Sequence, residues 1–161
     1  MMKILKLPII VQREIFSCMD YEEVFHFSLC SKQLFYRIKS LQLVRFSNIQ
    51  FVQFLFSQNY FGVVIMPKNG DPRLHFERII SVILEESERK QFGQIEMAGN
   101  MMKFRRQTAE DKLVAVYGCK SQMESIRSAI YTHVCNLFGD DVEYRMWNFN
   151  EDTHWINRES V

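Results

Sequence analysis

Cysteine and histidine are the side chains in this chain with the chemistry of nucleophiles, bases and soft metal ligands. Their spacing decides whether they can act together. The cysteines are Cys18, Cys30, Cys119 and Cys135, and the histidines are His26, His75, His133 and His154. No CxxC pair occurs, and no cysteine has a histidine at metal-ligand spacing. His133 and Cys135 lie two apart on a helical stretch, so they do not face each other. They cannot share the hydrogen bond that a Cys–His nucleophile needs. Cys18, Cys30 and Cys135 have apolar neighbours and read as buried, reduced thiols. That usage fits a reducing compartment, cytoplasmic or nuclear. Glu151, Asp152 and His154 have the types for a carboxylate–His metal arrangement, but in a polar tail they read as solvated surface. Lys103, Arg105 and Arg106 flank Phe104 and read as the solvent face of a hairpin, not a nucleic-acid patch. The six glycines form no phosphate-binding loop. No metal, cofactor or catalytic residue is expected. An α/β enzyme using Cys135 or Cys119 stands as the outlying alternative, and it requires a concave pocket with a perturbed Cys or His.

The composition supports a folded chain. Of 161 residues 47% are apolar and 14 are Phe, enough for a substantial core and too many for a disordered chain. The formal charge of +1 gives no general attraction to nucleic acid. Residues 1–45 carry seven Lys/Arg against four Asp/Glu, and the remainder thirteen against fifteen, so neither part is a strong electrostatic footprint. The opening MMKILKLPIIVQRE is interrupted by Lys6 and Pro8 and lacks a small-x-small cleavage site, which argues against a signal peptide. No stretch approaches the ~20 apolar residues of a membrane span.

Periodicity supplies the elements. Leu7-Pro8 opens a first helix, with Pro at its first position. Leu7, Val11, Ile15 and Met19 recur every fourth residue as an apolar stripe, opposite Gln12, Arg13, Glu14 and Ser17. Asp20 with Glu23 makes a capping box for a second helix carrying Val24, Phe25, Phe27 and Leu29. Ser31 caps a third, with Leu34, Phe35 and Ile38 on one face. Three short helices in so few residues need a partner surface or the rest of the chain. From Phe46 the pattern turns to strands: Ile49 to Phe56, Tyr60 to Met66, and Leu74 to Leu84, the last favoured as a strand by its β-branched residues. Ser57-Gln58-Asn59 reads as a hairpin turn, Pro67 to Pro72 as a turn cluster, and Glu85 to Gln91 as a charged connector. A tight hairpin is expected around Gly99-Asn100. A strand from Leu113 to Tyr117 follows. Next comes a long helix capped by Ser121 and Glu124, striped by Ile126, Ile130, Val134 and Leu137, and stopped by Gly139. Val142 to Phe149 alternates as a strand. The expected class is α+β: three helices, then a small antiparallel sheet with one long helix.

The run LPIIVQREIFSCMDYEEVFHFSLCSKQLFYRIK resembles an F-box. Its landmarks are Leu7-Pro8, the apolar positions Val11 and Ile15, the break at Met19-Asp20, and Ser28-Leu29-Cys30-Ser31-Lys32 before an aromatic-rich third helix. Ile9 and Ile10 stand where the family often has an acid. The landmarks are most similar to the F-box proteins expanded in nematodes. Residues 95–149 resemble the region that follows the F-box there, shortened by the stop after Phe149. The resemblance implies an F-box over residues 1–45 and an F-box-associated, substrate-binding domain over 46–161. It implies a non-catalytic adaptor that binds a Skp-type protein, and through it a cullin, within an SCF ubiquitin ligase. The second part would hold an unidentified protein substrate, with no nucleic acid or membrane as partner. Carried over residue by residue, the Skp-binding positions are Leu7, Pro8, Val11, Ile15, Met19, Val24, Ser28, Leu29 and Phe35, with roughly half in direct contact with the partner and the rest packing on one another. Trp147 and Trp155 are candidates for the substrate side, since Trp is enriched among interface anchors. A Skp-binding competitor that recruits no substrate is the alternative.

Overall fold

The computed structural model describes residues 4–69, 76–85, 93–107, 112–116 and 120–148. After a 3-10 turn at Ile4–Lys6 come α1 (Ile9–Cys18), α2 (Tyr21–Ser28), α3 (Lys32–Leu41) and α4 (Leu43–Phe46). The strands are β1 (Ile49–Phe56), β2 (Tyr60–Pro67), β3 (Glu77–Glu85), β4 (Gly93–Met97), β5 (Asn100–Gln107) and β6 (Lys112–Val116). The chain continues into α5 (Lys120–Phe138) and β7 (Glu143–Asn148).

Local chemistry explains the helix boundaries. The Asp20 carboxylate accepts from the Glu23 amide at 2.7 Å, and the Glu23 carboxylate accepts from the Asp20 amide at 3.0 Å. Two orphan donors of α2 are thus satisfied reciprocally, as expected from the capping box. Ser31 Oγ likewise accepts from the Leu34 amide at 3.1 Å and opens α3. Helix α1 has no such side-chain cap, and Pro8 sits at its N-cap, one residue earlier than expected. Gly139 ends α5 with φ +90°, a value that Gly tolerates without strain. The Ser121 and Glu124 capping box falls on a side chain outside the described residues.

The seven strands form one sheet in the order β4-β5-β6-β3-β2-β1-β7. The class is α+β as expected, but the sheet is not wholly antiparallel. β1 pairs with β7 in parallel, and so does β3 with β6. Each parallel pair needs a crossover, and α5 lies between β6 and β7. The hairpin of β4 and β5 turns on Ala98-Gly99, with φ of 50° and 79°, one residue before the expected Gly99-Asn100. The cluster from Pro67 to Pro72 and the connector from Glu85 to Gln91 lie largely outside the described residues.

A single apolar cluster joins the helices to the sheet. Val24, Phe25 and Ile38 of the N-terminal helices share it with Val52, Phe54, Phe61, Val63 and Ile65 of β1 and β2. Ile126, Ile130, Val134 and Leu137 of α5 complete it, as their stripe predicted. α2 packs on β3 and α5, and α3 packs on α2 and α5. Among the described residues no helix is long and apolar enough to cross a membrane.

Candidate functional site

Helix α1 is packed one position away from the stripe read in its sequence. Its buried residues are Gln12 and Phe16. Leu7, Ile15 and Met19 are half-buried, Pro8 is exposed, and Val11 faces solvent. Gln12 was expected on the polar face and instead lies inside. The reason is its amide: Nε2 donates to the Leu7 carbonyl at 2.7 Å and the Leu5 carbonyl at 3.4 Å. It thereby fixes the entry of Leu7-Pro8 into the helix. The consequence is an apolar edge turned outward: Ile9 is 52% exposed, Ile10 64% and Val11 41%. Burying one such side chain is worth about 1.5–3 kcal/mol, so folding leaves a sizeable driving force unused here.

α2 does the opposite. Tyr21, Val24, Phe25 and Ser28 are all buried. Val24 and Ser28 therefore stand with the half of the nine positions expected to pack inside. Ser28 Oγ donates to the Phe25 carbonyl at 2.6 Å and lies 2.8 Å from His133 Nε2 of α5. Its hydroxyl proton being committed to Phe25, Ser28 accepts from a protonated Nε2, which fixes the His133 tautomer. The imidazole packs edgewise on Phe25 at 5.6 Å and Phe35 at 5.0 Å. Burial holds its pKa down at about 4, so the ring is neutral near pH 7. Leu29 and Phe35 are half-buried, and Phe35 stacks edgewise on the exposed Tyr36.

α4 adds exposed Leu43 and Val44. It is anchored by Arg45, whose Nη1 donates to the Phe16 carbonyl at 3.1 Å and whose guanidinium lies 4.3 Å over the Tyr21 ring. The sequence reading missed Ile9, Ile10, Tyr36, Leu43 and Val44. A signal was present at Ile9-Ile10-Val11: three successive apolar residues span about 200° of a helix, so they cannot all face its core.

The cysteines do not form the buried set expected. Cys18 and Cys30 are exposed, and Cys135 is half-buried. Cys18 closes α1 and Cys30 lies in the turn after α2, both facing solvent, while Cys135 packs against the edge of the core. Burial pushes the Cys135 thiol up, although a hydrogen bond with Tyr131 works the other way. That is the wrong direction for a nucleophile. His133 is committed to Ser28, not to Cys135. Trp147 is exposed on β7. Trp155, Cys119, His75, His154, Glu151 and Asp152 lie outside the described residues.

The F-box domain model matches residues 4–46, the span from the 3-10 turn through α4. No curated protein and no solved structure matches the chain. F-box domains in general bind a Skp-type adaptor and through it a cullin, as non-catalytic parts of SCF-type ubiquitin ligases.

Proposed function

We propose, with the F-box of residues 4–46 as premise, that this protein is a substrate-recruiting adaptor of an SCF cullin-RING ubiquitin ligase. It docks on a Skp-type protein through the outer edge of α1 and the adjoining surface of α3 and α4. The observation that carries this reading is the orientation of α1, which buries Gln12 and turns Ile9, Ile10 and Val11 outward. A helix that folded only for its own core would do the reverse. Desolvating such an edge against a partner helix is the usual mode of helix-in-groove docking. Leu7, Pro8, Val11, Ile15, Met19, Leu29 and Phe35 are the proposed contact residues, joined by Ile9 and Ile10. Val24 and Ser28 support them from inside. Residues 46–161 are proposed to form the substrate-binding part, working in the cytoplasm or nucleus. The test is co-purification with a Skp-type adaptor. Wild type binds, and Leu7→Ala with Pro8→Ala binds at least tenfold more weakly. A wild-type chain that fails to bind, or a double variant that binds equally well, removes the proposal.

A further inference from the structure

The span matched by the F-box model ends at Phe46, and α5 lies well outside it. Short helices like those of the F-box bury too little to hold one geometry alone. Val24, Phe25 and Ile38 are fully buried here, and the core that covers them includes Ile130, Val134 and Leu137 of α5. The C-terminal end of α5 adds ring contacts. Phe138 packs edgewise on Tyr21 at 6.3 Å and on Phe46 at 4.9 Å. His133 touches two F-box helices with one side chain. It is bonded to Ser28 of α2 and packs edgewise on Phe25 of α2 and Phe35 of α3.

An apolar side chain at this position would pack without direction. A hydrogen bond is directional, and an aromatic edge contact has a preferred geometry. Burying polar groups costs stability, and a satisfied buried pair in return specifies one arrangement. His133 is 7% exposed and Ser28 2%, so their bond is shielded from water. A second polar link between the two parts differs in kind. Lys32 of α3 pairs with Glu96 of β4 at 3.0 Å, but both side chains are exposed, and such pairs hold little. The outward apolar surface stands on the helices that His133 joins. Phe35 lies 5.4 Å from the exposed Tyr36 ring, and α1, which turns Ile9, Ile10 and Val11 outward, packs on α3. A shift of α3 against α2 therefore moves both parts of that surface.

We infer that α5 is part of the docking module and that His133 is its positioning residue. Bonded to Ser28 and packed on Phe35, His133 fixes α3 against α2 and so sets the apolar surface that α3 and α1 present. Calling that surface the docking face rests on the adaptor reading; the positioning itself does not.

The experiment uses the full chain. His133→Ala removes the bond and both ring contacts, Ser28→Ala removes the bond from the other side, and His133→Gln restores a donor to Ser28. Amide correlation spectra are recorded on the free chain. His133→Ala displaces the resonances of the exposed residues Tyr36, Ile9, Ile10 and Val11. Ser28→Ala moves the same resonances in the same direction, and His133→Gln returns them to their wild-type positions. Displacements confined to Phe25, Ser28, Phe35 and α5 overturn the inference, as does a Gln variant no closer to wild type than the Ala variant. If His133→Ala does not fold, Ser28→Ala and His133→Gln decide on the same resonances. Affinity for a Skp-type adaptor is then measured by calorimetry at a temperature where each variant is fully folded. His133→Ala binds at least about fivefold more weakly than wild type, the lower end of ordinary coupling between sites, and His133→Gln binds within about twofold of it. Phe25→Ala, which keeps the Ser28 bond and the Phe35 contact, binds as wild type does. Equal binding by the folded His133→Ala chain overturns the inference. A wild-type chain that does not bind strikes the adaptor reading instead, and the spectra of the free chain decide the positioning.

Discussion

Helices α1 and α2 follow each other in the chain, with ten and eight residues, yet send their apolar side chains in opposite directions. α2 is closed at its start by a capping box and buries Tyr21, Val24 and Phe25 in the shared core. α1 begins at Pro8 without a side-chain cap, buries the amide of Gln12, and leaves Ile9, Ile10 and Val11 in water. Single exposed apolar residues are ordinary on any protein surface. Three in succession, on a helix whose buried face holds a glutamine, are left uncovered by the fold. The difference teaches that α2 is committed to the shared core, whereas α1 keeps apolar side chains free for the docking proposed above. Each prediction below attacks that division, beginning where the effect on stability is greatest.

Removing an α2 side chain should be costly. Phe25 is fully buried, so Phe25→Ala leaves a cavity and destabilises by about 3–5 kcal/mol. In a chain of this size that lowers the melting temperature by roughly 10–15 °C. A urea or thermal melt reads it directly. A cost below about 1 kcal/mol would put α2 on the same footing as α1 and break the comparison.

The tie between α2 and α5 predicts a pH dependence. Burial lowers the His133 pKa from 6.5 to about 4. Between those values the unfolded chain binds a proton that the folded chain does not. Stability is therefore fully present above about pH 6.5 and falls as the pH drops toward 4, by at most about 3 kcal/mol. His133→Gln keeps a donor for Ser28 without a titrating group. Urea midpoints between pH 4.5 and 7 should then lose most of their slope. An unchanged slope in this variant would assign the acid sensitivity to other groups.

A smaller effect belongs to the cap. Asp20→Ala removes the carboxylate that accepts from the Glu23 amide, leaves the backbone N–H of residue 20 free to donate to Glu23, and costs about 1 kcal/mol, measurable as a shift in urea midpoint at constant m. α1 has no equivalent bond to lose.

The caps also mark what the sequence makes legible. Asp20–Glu23 and Ser31–Leu34 act within one turn, so their residues can be paired by eye. The strand run of Ile49 to Phe56 and the stripe of α5 are likewise local, and the F-box landmarks sit in one continuous run. Three features escaped because each depends on residues far apart. Ser28 and His133 are separated by 105 positions, and nothing in either neighbourhood announces the bond. The parallel pairings of β1 with β7 and β3 with β6 are set by how α5 and the other connections cross the sheet. Gln12 is the instructive case. Periodicity placed it outside with Arg13 and Glu14, because a glutamine scores as polar. Inside, its Nε2 donates to the carbonyls of Leu5 and Leu7, and the helix is turned by a fraction of a turn from its stripe. The outward apolar edge of α1 thus goes with a side-chain-to-backbone hydrogen bond, which a hydrophobic stripe does not register.

The sharpest test has the smallest effect on stability. Ile9 and Ile10 are exposed in the first turn of α1, where aspartate also suits the positive end of the helix dipole. Ile9→Asp with Ile10→Asp should leave unfolding within about 0.5 kcal/mol of wild type, and a few tenths more stable if the dipole prevails. The same pair of charges cannot be desolvated against an apolar partner without a penalty of several kcal/mol. Binding to a Skp-type adaptor should therefore fall by well over tenfold in a chain that melts normally. Phe25→Ala at a permissive temperature should give the mirror image, a chain that melts early yet binds while folded. If the double aspartate variant binds like wild type, the outward edge of α1 is not the docking surface. If it unfolds instead, Ile9 and Ile10 belong to the core after all, and α1 and α2 are the same kind of helix.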